Sequence, residues 1–131
     1  AAFLVKTAKG FMREPRKLLI GGPLSGHAHT RLEIPVMKGS KCILALPAEI
    51  AKPAEAEACV RCGKCIEVCP AGISPVMITL AAENDLFKIA EDYGADFCID
   101  CGNCSYICPA KRPMTELMRY AATHVSSRKD L

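Results

Sequence analysis

Eight of the nine cysteines in this 131-residue chain fall into two runs of one design. Cys59-Val-Arg-Cys62-Gly-Lys-Cys65-Ile-Glu-Val-Cys69-Pro70 is matched by Cys98-Ile-Asp-Cys101-Gly-Asn-Cys104-Ser-Tyr-Ile-Cys108-Pro109. A [4Fe–4S] core needs four thiolates directed inward, and Cys-x-x-Cys-x-x-Cys wraps a short loop around one side of it and supplies three. In two-cluster ferredoxins the fourth cysteine, the one before proline, ligates the other cluster. By that logic Cys59, Cys62, Cys65 and Cys108 hold one [4Fe–4S] cluster, and Cys98, Cys101, Cys104 and Cys69 hold a second. The crossing ties the two runs together, so folding should depend on the clusters.

Two other uses of cysteine fit less well. Zinc sites pair two separated Cys-x-x-Cys knuckles, whereas here four cysteines lie within eleven residues and the pattern recurs. Disulfides belong to oxidising compartments, and the chain opens on Ala-Ala-Phe-Leu-Val-Lys with no signal peptide. The supporting residues suit clusters. Gly63 and Gly102 follow the second cysteine, where the backbone must turn tightly. Val60, Ile66, Val68, Ile99 and Ile107 are expected to shield the cores, and Pro70 and Pro109 to redirect the chain after a fourth ligand placed at the start of a helix. Arg61, Lys64, Lys111 and Arg112 flank the runs and could dock an acidic partner or offset cluster charge.

The elements that position these residues divide near residue 48. Before it, Arg16 to Ile20 reads as a strand closed by Gly21-Gly22-Pro23, Leu32 to Met37 as a second apolar stretch broken by Pro35, and Cys42 to Leu46 as a third. Three short strands are too few for a closed β domain, so residues 1–48 read as the tail end of one. Pro47 to Ala58 reads as linker or helical lead-in. Beyond it, Ser74-Pro75 starts a helix with Val76, Met77, Leu80 and Ala81 on one face. Asn84-Asp85 caps a second with Leu86, Ala90 and Tyr93 in register, stopped by Gly94. Pro113 opens a last helix with Met114, Leu117, Met118, Ala121 and Val125 on a stripe, and the tail from Ser126 is expected to fray.

Charge follows the same division. Residues 1–48 carry eight Lys/Arg against Glu14 and Glu33; residues 49–131 carry nine against twelve acids. No aromatic interleaving or binding motif accompanies the basic stretch, so nucleic acid is not an expected partner. No apolar run approaches the ~18 residues of a membrane span. Three features read as structural. Cys42 sits in an apolar run as a buried thiol. His27-Ala-His29 lies in a surface loop. Gly21-Gly22-Pro23-x-x-Gly26 is a turn lacking the order and following helix of a nucleotide loop.

Beyond the cysteine runs, Lys17-Leu-Leu-Ile-Gly-Gly-Pro-Leu-Ser-Gly26, Ile34-Pro-Val-Met-Lys-Gly39 and Ile43-Leu-Ala-Leu46 carry a family resemblance. From about residue 12 to 125 the sequence resembles the C-terminal part of the C-subunit of the Rnf electron-transport complex, the ion-translocating ferredoxin:NAD oxidoreductase. The resemblance implies an α+β chain. Residues 1–48 would end a β-grasp-like (soluble-ligand-binding) domain, and residues 49–131 would form a helical ferredoxin domain with two [4Fe–4S] clusters. The 28 residues between Cys69 and Cys98 favour that helical version over a compact ferredoxin. It further implies that FMN and NADH belong to an upstream domain of a longer polypeptide, and that the partners are iron–sulfur and flavin subunits. It places the chain in the cytoplasm, peripheral on the inner face of the membrane. The iron–sulfur part of a cobalamin-reductase-like flavoprotein, a metal module that only staples the fold, and a stand-alone ferredoxin are the alternatives. In none of these does the chain itself offer an acid, base or nucleophile.

Overall fold

The computed structural model describes residues 1–51 and 55–129, and the chain forms two compact units, residues 1–53 and 54–131. The first is built on a three-stranded antiparallel sheet in the order β2-β1-β3. Strand β1 (Lys17–Ile20) is central; it pairs with β2 (His27–His29), Leu19 opposite Ala28, and with β3 (Ile43–Leu46), Leu19 opposite Leu44. Leu18 and Leu19 are its buried residues. The expected second strand is displaced. The pairing partner of β1 is the His27–His29 segment rather than Leu32 to Met37. Pro35 has no N–H to donate, and the carbonyls of Leu32 and Ile34 are taken by the N–H of Ala2 and the Ala1 amino group. Those bonds seat a helix the sequence did not announce, α1 (Ala2–Thr7).

The β1–β2 turn depends on close backbone approach. The Gly26 N–H donates to the Gly22 carbonyl at 2.7 Å. A Cβ on Gly26 would sit 2.5 Å from that same oxygen. Gly26→Ala should therefore cost about 1–3 kcal/mol of the sheet unit's stability, read as an earlier urea midpoint for that unit. Cys42 departs from expectation. It is exposed, just ahead of β3, where its thiol donates to the Gly21 carbonyl at 2.7 Å; the apolar run does not bury its first residue.

The second unit is helical: α2 (Lys64–Glu67), α3 (Pro75–Glu83), α4 (Phe87–Asp92), a 3-10 turn at Ala95–Phe97, α5 (Asn103–Ile107) and α6 (Met114–Lys129). Pro75 sits in the first turn of α3, where its missing N–H is no loss. Gly94 ends α4 in the left-handed conformation at φ 83°. The core joins Ile78, Ala81 and Ala82 of α3, Ala90 of α4, Ala95, and Met118, Ala121 and Val125 of α6. The small alanines let α3, α4 and α6 approach closely. Met118, 1% exposed, fills the space between them, so Met118→Ala should cost about 2–5 kcal/mol and lower the unit's thermal midpoint accordingly.

Four expectations need correcting here. Of Val76, Met77, Leu80 and Ala81, the first three share a face turned to the 59–65 loop, whereas Ala81 packs in the core with Pro75, Ile78, Thr79 and Ala82. Of Leu86, Ala90 and Tyr93 only Ala90 is buried, because α4 is short and its ends lie at the surface. Residues 126–129 continue α6 instead of fraying, with Val125 anchoring that turn in the core and Ser127 Oγ donating to the Thr123 carbonyl; residues 130 and 131 of that tail lie outside the described ones. The lead-in expected over 47–58 is a turn after Pro47, and residues 55–58 have no regular structure; residues 52–54 lie outside the described ones.

Candidate metal centre

The two cysteine runs fold as copies of one another, down to the backbone. Arg61 and Asp100, the third residue of each, have φ 54° and 55°. Gly63 and Gly102 have φ 77° and 79° and start the short helices α2 and α5. After the fourth cysteine, Gly72 N–H donates to the Cys69 carbonyl and Lys111 N–H to the Cys108 carbonyl, closing matching turns that end at φ 65° and 51°. The positive φ at Arg61, Asp100 and Lys111 carries steric cost for residues with a Cβ. That both runs accept it marks a loop shape the cysteines require. Each fourth cysteine thus follows a short helix and precedes a turn; it does not open α3 or α6 as expected, since Pro70 and Pro109 turn the chain first.

Among the described residues, a pair of cavities in this unit gathers the cysteines. One, of about 270 Å³, has Cys59, Cys62, Cys65 and Cys108 in its wall. The other is tighter, about 20 Å³, and has Cys69, Cys98, Cys101 and Cys104. Each cavity therefore takes three thiols from one run and the fourth from the other. The backbone that brings Cys108 to the first run is explicit: Glu57 N–H donates to the Ala110 carbonyl at 2.9 Å, pairing the chain just before Cys59 with the chain just after Cys108. Ion pairs and hydroxyls fix the loops to the helices. Arg112 holds Glu83 of α3. Arg119 Nε of α6 donates to both Asp100 carboxylate oxygens at 2.8 Å. Thr115 N–H donates to Ser105 Oγ at 2.7 Å.

Much of each wall is apolar, but not with all the residues expected. Val76, Met77 and Leu80 of α3 and Met114 of α6 close the larger cavity together with Val60 and Ile66. Ile73, Pro75, Met118 and Ile99 close the smaller. Val68 and Ile107 are half-buried and line neither, because α2 and α5 turn them away. Sequence reasoning found the α3 face but not what it meets, since helical periodicity does not distinguish a stripe that meets a core from one that lines a cavity. Burial pushes the Cys65 and Cys98 thiols up and Cys104 to about 11, while backbone N–H groups, of Val76 and Ile66 toward Cys65 and of Ser105 toward Cys104, pull the other way. Binding a metal there must displace thiol protons, favouring a centre whose own positive charge stabilises the thiolates.

This donor set fits iron–sulfur chemistry. Four soft thiols per site, with largely apolar walls and backbone N–H groups near sulfur, are what such a cluster uses. Among the described residues, no three His, Cys, Asp or Glu side chains converge on a point that would hold a single metal ion. His27 and His29 share one face of β2 and belong to no such group.

Comparison with known proteins bears directly on this. Residues 52–109 match the 4Fe-4S dicluster domain family. The chain is 46% identical over 112 residues to the C-subunit of the proton-translocating ferredoxin:NAD(+) oxidoreductase complex of Clostridium ljungdahlii, covering 85% of this chain and 24% of that one. It is 42% identical over 120 residues to the C-subunit of the Na(+)-translocating complex of Acetobacterium woodii, covering 92% of this chain and 27% of that one. By sequence, the chain is similar to part of these C-subunits. To the C-subunit of the ion-translocating complex of Methanosarcina acetivorans it is 35% identical over 128 residues, 97% of this chain and 28% of that one. The chain thus spans about a quarter of the length of these relatives. Its similarity is to a 4Fe-4S dicluster domain over residues 52–109 and to chains named as C-subunits of ion-translocating complexes. No helix among the described residues is long and apolar enough to cross a membrane.

Proposed function

We propose that this chain is the electron-transfer segment of the C-subunit of a ferredoxin:NAD oxidoreductase complex and holds two [4Fe–4S] clusters. One is on Cys59, Cys62, Cys65 and Cys108, the other on Cys98, Cys101, Cys104 and Cys69. The observation that carries this is the division of the eight thiols between two cavities, three from one run and one from the other in each. When bound, such clusters supply one-electron exchange. The chain's own residues supply the rest. The cysteines are ligands, Val76, Met77, Leu80 and Met118 exclude water, and inward N–H groups stabilise negative charge on sulfur. No covalent bond of a substrate changes here, so no residue acts as acid, base or nucleophile.

In the same reading, the sheet unit ends a β-grasp-like domain. FMN and NADH bind on a domain of the parent polypeptide outside this chain. The partners are iron–sulfur and flavin subunits of a membrane-associated complex, which this chain meets from the cytoplasmic side. The 42–46% identity to subunits of ion-translocating complexes supports that assembly. Anaerobic coulometric reduction of the purified protein tests the core of the proposal. Uptake and return of about two electrons per chain is expected for two one-electron centres. A protein that accepts none and contains zinc would be a structural metal module instead.

A further inference from the structure

The two sites share a backbone but not a charge. At the position after Cys59-Val the first run has Arg61; at the matching position the second has Asp100. Lys64 is matched by Asn103. All four residues stand in the wall of their own cavity.

Each site also has an ion pair, and these two pairs point opposite ways. At the first, the cation Arg112 is in the cavity wall and its partner Glu83 is not. At the second, the anion Asp100 is in the wall and its partner Arg119 is not. The Glu83 carboxylate chiefly, and the Cys59 and Cys108 thiols in smaller part, favour the charged form of the Arg112 guanidinium. Arg61 and Lys64 add to the first site. Neither Glu57 nor Glu67 stands in that wall to cancel them, and among the described residues the second wall has no lysine or arginine. The inward N–H groups are present at both sites, so they do not separate them.

An added electron makes a site one unit more negative. It is stabilised where the wall is cationic and disfavoured where the wall is anionic, and net charge near a cluster is among the factors that set its potential. We propose that Arg61, Lys64 and Arg112 make the Cys59/Cys62/Cys65/Cys108 site the higher-potential of the two, and that Asp100 makes the Cys98/Cys101/Cys104/Cys69 site the lower. A single electron delivered by a low-potential one-electron donor then rests on the first site, and the second passes electrons to it. This order rests on the two-cluster reading and adds to it the direction of flow.

The experiment is stepwise anaerobic reduction of the iron-loaded protein in the presence of redox mediators, followed by EPR. Iron content is determined first, so that a protein holding about four irons counts against the two-cluster reading and not against the order. With about eight irons, two resolved one-electron waves are expected. Arg61→Gln and Lys64→Gln, both at exposed positions, should each lower only the upper wave, by about tenfold in the reduced-to-oxidised ratio at fixed potential, which is about 59 mV for one electron. Arg61→Lys should restore it. Asp100→Asn should raise only the lower wave. Coincident waves in the wild type, or movement of the lower wave by Arg61→Gln, would overturn the assignment.

Discussion

Replacing Cys108 by serine should remove the cluster bound mainly by the other run. Cys108 follows the 98–104 loop in sequence, yet it lies in the cavity wall with Cys59, Cys62 and Cys65. The variant should therefore fall from about eight irons to about four, and the remaining EPR signal should match that of Cys59→Ser. Cys69→Ser should instead match Cys101→Ser, since these two share the other cavity. If ligation were confined within each run, Cys108→Ser would pair with Cys101→Ser. The four variants divide into pairs under either arrangement, and which pairs form decides between them. Cys108 is only 8% exposed, so its serine leaves a buried polar group without its metal partner. Some loss of stability will accompany the loss of iron in that variant. Cys59 is less buried and serves as the milder control.

Stripping the clusters with a chelator under air should unravel the loops of the second unit while the sheet unit keeps its fold. The reason lies in what holds those loops. Residues 55–63 contain no regular structure, and a backbone bond from Glu57 to Ala110 ties them to the chain after Cys108. Three non-glycine residues, Arg61, Asp100 and Lys111, are held at positive φ, at a cost of order 1–3 kcal/mol each. On the proposed ligation, cluster binding, worth roughly the 10–16 kcal/mol seen for structural metals in small domains, would offset that strain and the burial of Cys65 and Cys108. Without it, amide exchange across 55–72 and 98–112 should speed up by several orders of magnitude. Amides of β1 and β3 should be unaffected, because their pairing involves no cysteine ligand. Core amides of α3 and α6, packed through Ile78, Met118 and Val125, should fall between these limits.

The sequence was most legible where spacing itself is the chemistry. The cysteine runs, the proline-led starts of α3 and α6, the stop at Gly94 and the stripe Met114, Met118, Ala121, Val125 can all be read from residue type and period. The family resemblance rested on the glycine- and proline-rich stretches upstream as much as on the cysteines. What escaped reading depends on partners distant in sequence. Strand β2 forms over His27–His29 because β1 is there to pair with it and because α1 takes the Leu32 and Ile34 carbonyls. Val76, Met77 and Leu80 wall a cavity because the 59–65 loop folds against α3. Neither fact leaves a periodic signature. The opposed charge of the two sites lies in plain view at Arg61 and Asp100, but its direction needed the positions of Glu83 and Arg119, which the sequence places 29 and 19 residues from their partners.

Anaerobic iron and acid-labile sulfide analysis of the purified chain, with EPR of the dithionite-reduced sample, tests the two-cluster electron-transfer reading most directly. About eight irons, about eight sulfides and the broad signal of two coupled centres are expected for two [4Fe–4S] clusters. Four irons would leave one set of thiols without its cluster. Zinc without sulfide or an EPR signal would contradict electron transfer by this chain altogether.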